Sequence, residues 1–433
     1  MPGVDPPCIA RYTPAVSYLR LLAADPRFLT FGFVLAFFSS FGQTFFISLF
    51  GDEIRTTFDL SHGEFGLCYS LATLASGMTI IWLGRKIDSV DLRIFSTLVC
   101  GGLVFACFGM AVAPAVAVLG VVLFLLRLTG QGLLSHTSMT SMARYFDAGR
   151  GKAISIAALG FPAGEAVLPI AAVVAMERIG WRETWMTIGA GLLVIGIPLI
   201  LWLLRGHVIR HGAHLDRLTA AENSTNADAR FAEVGRHWTL AQVLHDPHFF
   251  VGLPAIMAPA FIVTGLFFHQ VHLVESKGWS LTWFAGCFAV FAATQLPSGL
   301  IAGPLVDRYG ARRLLPLFLA PLTAGVAVLA MTGHWFAAPA FMGLAGITSG
   351  LAGPIVGSMW AEMYGVRHLG AIRAMVTAVL VFGTAGSPVS MGWLIDAGVS
   401  MDTIAWLCCA YAAAGTALAW LATSRPAASR SRE

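Results

Sequence analysis

Residues 94–113 read IFSTLVCGGLVFACFGMAVA, twenty residues without a charge. About 20 apolar residues in a helix cross the hydrocarbon core of a bilayer. Just before this run stand Arg85, Lys86 and Arg93, and a second apolar run opens at 115. Basic residues gathered at one end are the mark of a membrane helix whose start stays in the cytoplasm. Outward from this segment, comparable runs occur at 28–50, 64–83, 115–142, 152–176 and 184–204, and again at 249–272, 280–302, 314–332, 335–359, 373–394 and 402–423. With 94–113 they make twelve, the spacing of an all-α membrane protein with twelve transmembrane helices.

Composition agrees. Of 433 residues, 57% are hydrophobic and 12% charged, against about 25% charged in soluble domains; mean hydropathy is +0.75. The net charge of +4 is scattered over short loops and forms no basic stripe, so nucleic acid is not an expected partner. The cysteines show neither a CxxC nor zinc spacing and are read as small apolar residues; no cofactor or metal is expected. The first 26 residues lack the layout of a cleavable signal, so insertion is expected to use the first helix.

With the N-terminus inside, about 22 Lys and Arg fall on the cytoplasmic side and 4 outside, namely Arg55, Arg178, Arg182 and Lys277. That asymmetry predicts a cytoplasmic (inner) membrane protein with both termini in the cytoplasm. The expected organisation is a cytoplasmic segment over 1–27, a six-helix bundle over 28–204, a solvated cytoplasmic linker over 205–247 containing His207, His211 and His214, a second bundle over 248–423, and a tail over 424–433. Internal echoes support two pseudo-symmetric halves. Gly42-Gln43-Thr44-Phe45-Phe46 resembles Thr264-Gly265-Leu266-Phe267-Phe268; Gly84, Asp88 and Arg93 echo Gly303, Asp307 and Arg312; Ala143 to Gly151 echoes Ala361 to Gly370.

The loop Gly303, Asp307, Arg308, Gly310, Arg312, Arg313 resembles the GxxxDRxGRR motif of the major facilitator superfamily, and Gly84, Asp88 and Arg93 keep part of it in the first half. The resemblance covers nearly the whole chain. It implies a secondary transporter working by alternating access, with these loops as conformational latches. An Asp there can cap a helix start and pair with an Arg of the neighbouring helix. A narrower likeness runs from Tyr145-Phe146 through Arg150, Ala153, Ala157, Gly160, Pro162 and Gly164. It is similar to the pattern of monocarboxylate porters, close to the oxalate–formate antiporters, and implies a monocarboxylate-like substrate. Gly160 and Gly164 also have the spacing of a close helix–helix contact.

Charges inside a bilayer are costly and mark function. Arg127 and Glu165 each fall about 18–20 Å into their helices at helical rise, near the midplane. Arg127 presents a fork of donors suited to a carboxylate, and Glu165 is a protonatable site that could release Arg127 to an anion. The alternative is a permanent ion pair between adjacent helices. Gln43, Gln131 and Gln270 are further candidates for substrate contact, and His269 for a second proton site. Arg373, at the inner mouth of the eleventh helix, is read as an anion attractor or a headgroup anchor. Pro162 and the glycines beside it can bend the fifth helix.

The function expected is proton-coupled symport of a small organic anion by a monomer, since one chain holds a whole twelve-helix unit. The alternative is a multidrug or metabolite efflux carrier of the same fold. An enzyme is not expected: paired catalytic carboxylates, HExxH, GxSxG and a P-loop are all missing.

Overall fold

The computed structural model describes residues 21–23, 25–146, 150–208, 210–212, 238–365 and 369–423. Ten described helices have the length and hydropathy to cross a membrane. These are α2 (His62–Leu83), α3 (Leu92–Val112), α4 (Val116–Tyr145), α5 (Arg150–Ile179), α6 (Trp181–Leu203), α7 (Pro247–Phe268), α8 (Leu281–Tyr309), α10 (Ala337–Tyr364), α11 (Leu369–Asp396) and α12 (Met401–Thr423). An eleventh, α1, is a pair, Pro26–Gly42 and Thr44–Phe58, bent by 48°. The shorter apolar helix Ala320–Met331, α9, completes the order.

Five of these helices start with a polar cap of the kind that satisfies free backbone N–H groups. Ser61 and Glu64 form a reciprocal box at α2; Asp25, Asp91, Asp246 and Ser280 cap α1, α3, α7 and α8. The ninth crossing departs from the continuous run expected over 314–332. A short helix, Ala311–Leu314, is followed by turns and then by α9. Pro316 has no N–H to give and its ring crowds the turn before it, so the helix stops there.

Two of the four basic residues expected outside have structural work that explains them. Arg182 donates from Nη1 to Ala111 O (2.7 Å) and Ala113 O (3.3 Å), closing the end of α3. Lys277 Nζ does the same for α9, donating to Leu329 O (2.6 Å) and Thr332 O (3.1 Å). It also pairs with Asp402 at 2.6 Å. A cation at a helix C-terminus meets free carbonyls and the negative end of the helix dipole. Lys277→Met is expected to cost about 1–2 kcal/mol, seen as a lower melting temperature of the detergent-purified protein; an unchanged melting curve would show that water replaces the ammonium.

Both termini of the described bundle and the described ends of the connection, 205–208, 210–212 and 238–247, lie on one face, here the linker face; the other is the far face. In the first half α3 packs on α6 and α1 on α4 and α5; in the second α8 packs on α10, α7 on α12, and α9 on both α10 and α12. The halves meet along α2–α11 and α5–α8.

The start of the connection is not solvated as expected. His207 is only 1% exposed, and Tyr145 Oη meets His207 Nε2 at 3.5 Å and His211 Nδ1 at 3.1 Å. Arg210 pairs with Asp25, Nε to Oδ2 at 3.0 Å, and lies over the Phe28 ring. The aromatic end of α4 thus gives these polar residues a surface to pack on. Burial, then the nearby Arg210 charge, pushes the His207 pKa down to about 4, so the ring is neutral at physiological pH. His214 lies outside the described residues.

Candidate functional site

The helix break in α1 lies at the middle of the first half. Ser40–Gly42 tightens into a 3₁₀ turn, and Gln43 is extended at φ −86°, ψ 156°. A cause is visible in the neighbour. A Cβ on Gly42 would collide with Leu126 O and stand 2.6 Å from Gln131 N and 2.8 Å from the Gly130 Cα. Here α1 and α4 cross backbone to backbone, which glycine alone permits. Over the same stretch α4 is wound as a π-helix, Leu126–Leu134, a geometry that gathers at functional sites.

Arg127 emerges from that wide turn. It is 6% exposed. Nη1 donates to Gly42 O at 3.3 Å, the carbonyl at the break in α1. Its guanidinium carbon lies 5.1 Å from the centre of the Tyr69 ring, and Tyr69 Oη shares a 2.7 Å hydrogen bond with Thr44 Oγ1. Of the five donors of a guanidinium, only Nη1 has a partner among the described residues, and Nε is enclosed without one. Gln131, one turn on, likewise has a buried Oε1 with no partner. Gln43 stands half-buried at the break. Broken helices and unwound carbonyls at mid-membrane are where transporters hold their substrates. Tyr69 was missed in the sequence, where an aromatic on an apolar helix reads as packing.

Glu165 is not paired with Arg127. Among the described residues no ion pair joins them, and Glu165 Oε2 is enclosed without a donor. The glycines beside it act in packing. A Cβ on Gly160 would come within 2.8 Å of Ala36 Cβ and Phe37 N, and one on Gly164 within 3.0 Å of Ser40 Cβ, so α5 lies directly on α1. Pro162 leaves the Ala158 carbonyl without its i+4 donor, and α5 breaks at Leu159 between Arg150–Ala158 and Gly160–Ile179.

Gln270 and His269 lie elsewhere, in the seam between the halves. Gln270, fully buried, donates from Nε2 to Phe45 O and Ser48 Oγ, both at 2.8 Å. Ser48 Oγ donates on to Phe267 O at 2.7 Å. His269 Nε2 donates to Pro388 O at 2.9 Å. The His62 ring lies 5.7 Å from that of His269 and 4.5 Å from that of His272, with Asp52 and Arg55 lining the same crevice. Burial, then Arg55, holds the His272 pKa below the usual imidazole value. Asp396 of α11 accepts from the backbone N–H groups of His62 (3.0 Å) and Gly63 (2.8 Å), capping α2 across the seam. Thr282 Oγ1 donates to Glu177 Oε1 at 2.9 Å. Between described residues, all hydrogen bonds that join the halves lie toward the far face.

On the linker face the loop motif is tied differently from the expectation. Arg93 bonds to Asp91, Nε to Oδ1 at 3.2 Å, and this bond keeps the Asp91 pKa low; the side chain of Asp88 lies outside the described part. In the second half Gly310 turns the chain at φ +79°. The helix start behind it is capped by Glu362 of α10, which accepts from Ala311 N (2.7 Å) and Arg312 N (3.1 Å). The cap is therefore Glu362 and not Asp307, which is exposed. Arg312 Nη2 donates to Thr423 O at 3.0 Å, Arg308 lies over Tyr309, and a Cβ on Gly303 would meet open space. Arg373 Nη2 donates to Gly357 O at 2.6 Å, tying α11 to α10.

The model of the Major Facilitator Superfamily matches residues 32–294 and 271–433. Over 117 residues the chain is 28% identical to the multidrug resistance protein B homolog of Mycobacterium tuberculosis, in strains CDC 1551 / Oshkosh and ATCC 25618 / H37Rv. That stretch is 27% of this chain, and it spans about a fifth (21%) of the relative's length. A solved structure of a bacterial homolog of the human lysosomal transporter Spinster, inward-facing and occupied, aligns with a TM-score of 0.61 at 16% identity, over 95% of this chain and 94% of that one. It shares the fold.

Proposed function

The chain belongs to the major facilitator superfamily, and from that premise we propose that it is a proton-coupled carrier of a small, monocarboxylate-like organic anion, with Arg127 as the anion's counter-charge. The supporting observation is a guanidinium 6% exposed, well inside the apolar span Val116–Tyr145, with one carbonyl bond and no carboxylate partner among the described residues. A buried charge left unpaired costs several kcal/mol; an arriving carboxylate would supply both the missing charge and acceptors for the vacant donors. Gln131 and Gln43 complete the lining.

In this reading the linker face is cytoplasmic, in the inner membrane, by the positive-inside rule. The seam bonds of Gln270, Ser48 and Asp396 then close the outside, and the state is inward-facing. Rocking to the outward state breaks them, while the Gly303–Arg312 loop and its Glu362 cap, with the Asp88–Arg93 loop, steady the cytoplasmic ends. The carrier works as a monomer.

Glu165 carries the coupling proton. It sits on the helix whose glycines lie against α1, so a change in its charge is felt at the broken helix that holds Arg127. His269, backed by His62 and His272 in the seam, is the second proton site. Glu165→Gln should leave anion exchange at equal pH intact but remove the acceleration of uptake by a pH gradient, measured with a labelled carboxylate in proteoliposomes. A variant still driven by the gradient would rule out Glu165.

The similarity to a multidrug resistance protein favours a second reading, drug efflux. A lipophilic cation would face Arg127 as a like charge, so this reading predicts that Arg127→Met improves efflux.

A further inference from the structure

On the linker face, where the ninth crossing breaks at Pro316, the outer side of the second half is notched. The notch holds about 610 Å³ and is lined by Tyr309, Gly310, Arg312, Arg313, Pro316, Glu362, Trp420 and Thr423. We propose that it is a binding site for one phospholipid with an anionic headgroup, its phosphate held by Arg313.

Four observations carry this. The first is position. The notch lies at the ends of α8, α10 and α12 and the start of the ninth crossing, the level at which headgroups meet a membrane protein. Trp420 and Tyr309 are 63% and 44% exposed, and Trp and Tyr favour that interface.

The second is shape. The helix α9 has 12 residues, about 18 Å at helical rise, against a hydrocarbon core of about 30 Å. The turns before it leave the bilayer without a straight helix to pack on. A lipid seated in the notch fills the wedge.

The third is charge. Arg313 is exposed and makes no hydrogen bond or ion pair with any described residue. Arg312 is fixed by its bond to Thr423 O. The one acid in the lining, Glu362, accepts a backbone N–H on each oxygen, which holds it at the helix start, while Arg313 faces the notch. Planar donor forks suit phosphate oxygens, and basic pockets between helices on this side hold such headgroups.

The fourth is the surround. Leu317 is 64% exposed and offers acyl chains an apolar wall beside the charged lining. A free phosphate would have no use for it.

The test is native mass spectrometry of the purified full-length protein, titrated with phosphatidylglycerol, with phosphatidylcholine and with inorganic phosphate. One phosphatidylglycerol should stay bound through collisional activation that strips phosphatidylcholine. Arg313→Gln should cut that population at least fivefold, Arg313→Lys much less, and Arg85→Gln, an exposed charge on the same face of the other half, not at all. Millimolar inorganic phosphate should fail to displace the lipid; displacement would assign the site to the free ion. Equal retention of both lipids, or an equal loss in Arg85→Gln, would overturn the proposal and leave only general attraction to a basic surface.

Discussion

Arg127→Met should abolish carrier-mediated anion transport without lowering the melting temperature of the protein. A carboxylate held by two charge-assisted hydrogen bonds, each about 1.5–3 kcal/mol, loses both in this variant. At 1.4 kcal/mol per decade the uptake efficiency should fall by about 10²–10⁴-fold. Stability should move the other way. In the empty carrier the guanidinium has one hydrogen bond, to Gly42 O, and one ring, Tyr69, to offset its removal from water. Such contacts return about 2–5 kcal/mol, and the burial of an unpaired ion costs at least as much. Met fills similar space with no such cost. Loss of transport with melting preserved or raised separates a functional charge from a structural one; a sharp fall in melting temperature with transport kept at its wild-type rate would mean that Arg127 only holds α4 to α1.

Gly42→Ala should be the most damaging small change in the first half. Its new methyl would press on Leu126 O, Gln131 N and the Gly130 Cα. All three are backbone atoms of α4, so no side chain can swing aside. Overpacking of this kind costs about 1–3 kcal/mol and sometimes more, and it also displaces the carbonyl on which Arg127 rests. Gly101→Ala is the contrast, because a Cβ there meets open space and alanine is the better helix former by about 1 kcal/mol. Thermal unfolding of both variants in the same detergent should show Gly42→Ala melting well below wild type and Gly101→Ala at or above it. Coincident curves would contradict the close crossing of α1 and α4.

The membrane helices were legible because their signal is local: an uncharged run about as long as the bilayer is thick, with basic residues at one end. Arg127 was legible for the same reason, as a charge that interrupts such a run. The break at Gly42–Gln43 was not. Nothing near it in the chain forbids a helix; the constraint is Gly130 on another helix, 88 positions away in sequence numbering. Tyr69 was hidden because its role comes from what lies above its ring. The cap on the second-half loop was assigned to Asp307 by motif, whereas Glu362 supplies it from α10, and no spacing within the loop could show that. The shortened α9 could have been foreseen from Pro316 and Pro321, but the surrounding apolar run outweighed them. Gln270 reads as a polar residue in a membrane helix whether it faces a cavity or a seam; only the position of Phe45 and Ser48 decides.

The central claim is that an anion neutralises Arg127 and crosses with a proton. Its most direct test is internal acidification. Proteoliposomes containing a pH dye are given a panel of small carboxylates, with empty liposomes measuring the passive leak of the undissociated acids. The account predicts acidification faster than the leak for at least one carboxylate, and a return to the leak rate in Arg127→Met. Acidification no faster than the leak for every acid, or a rate that survives the loss of Arg127, would contradict it.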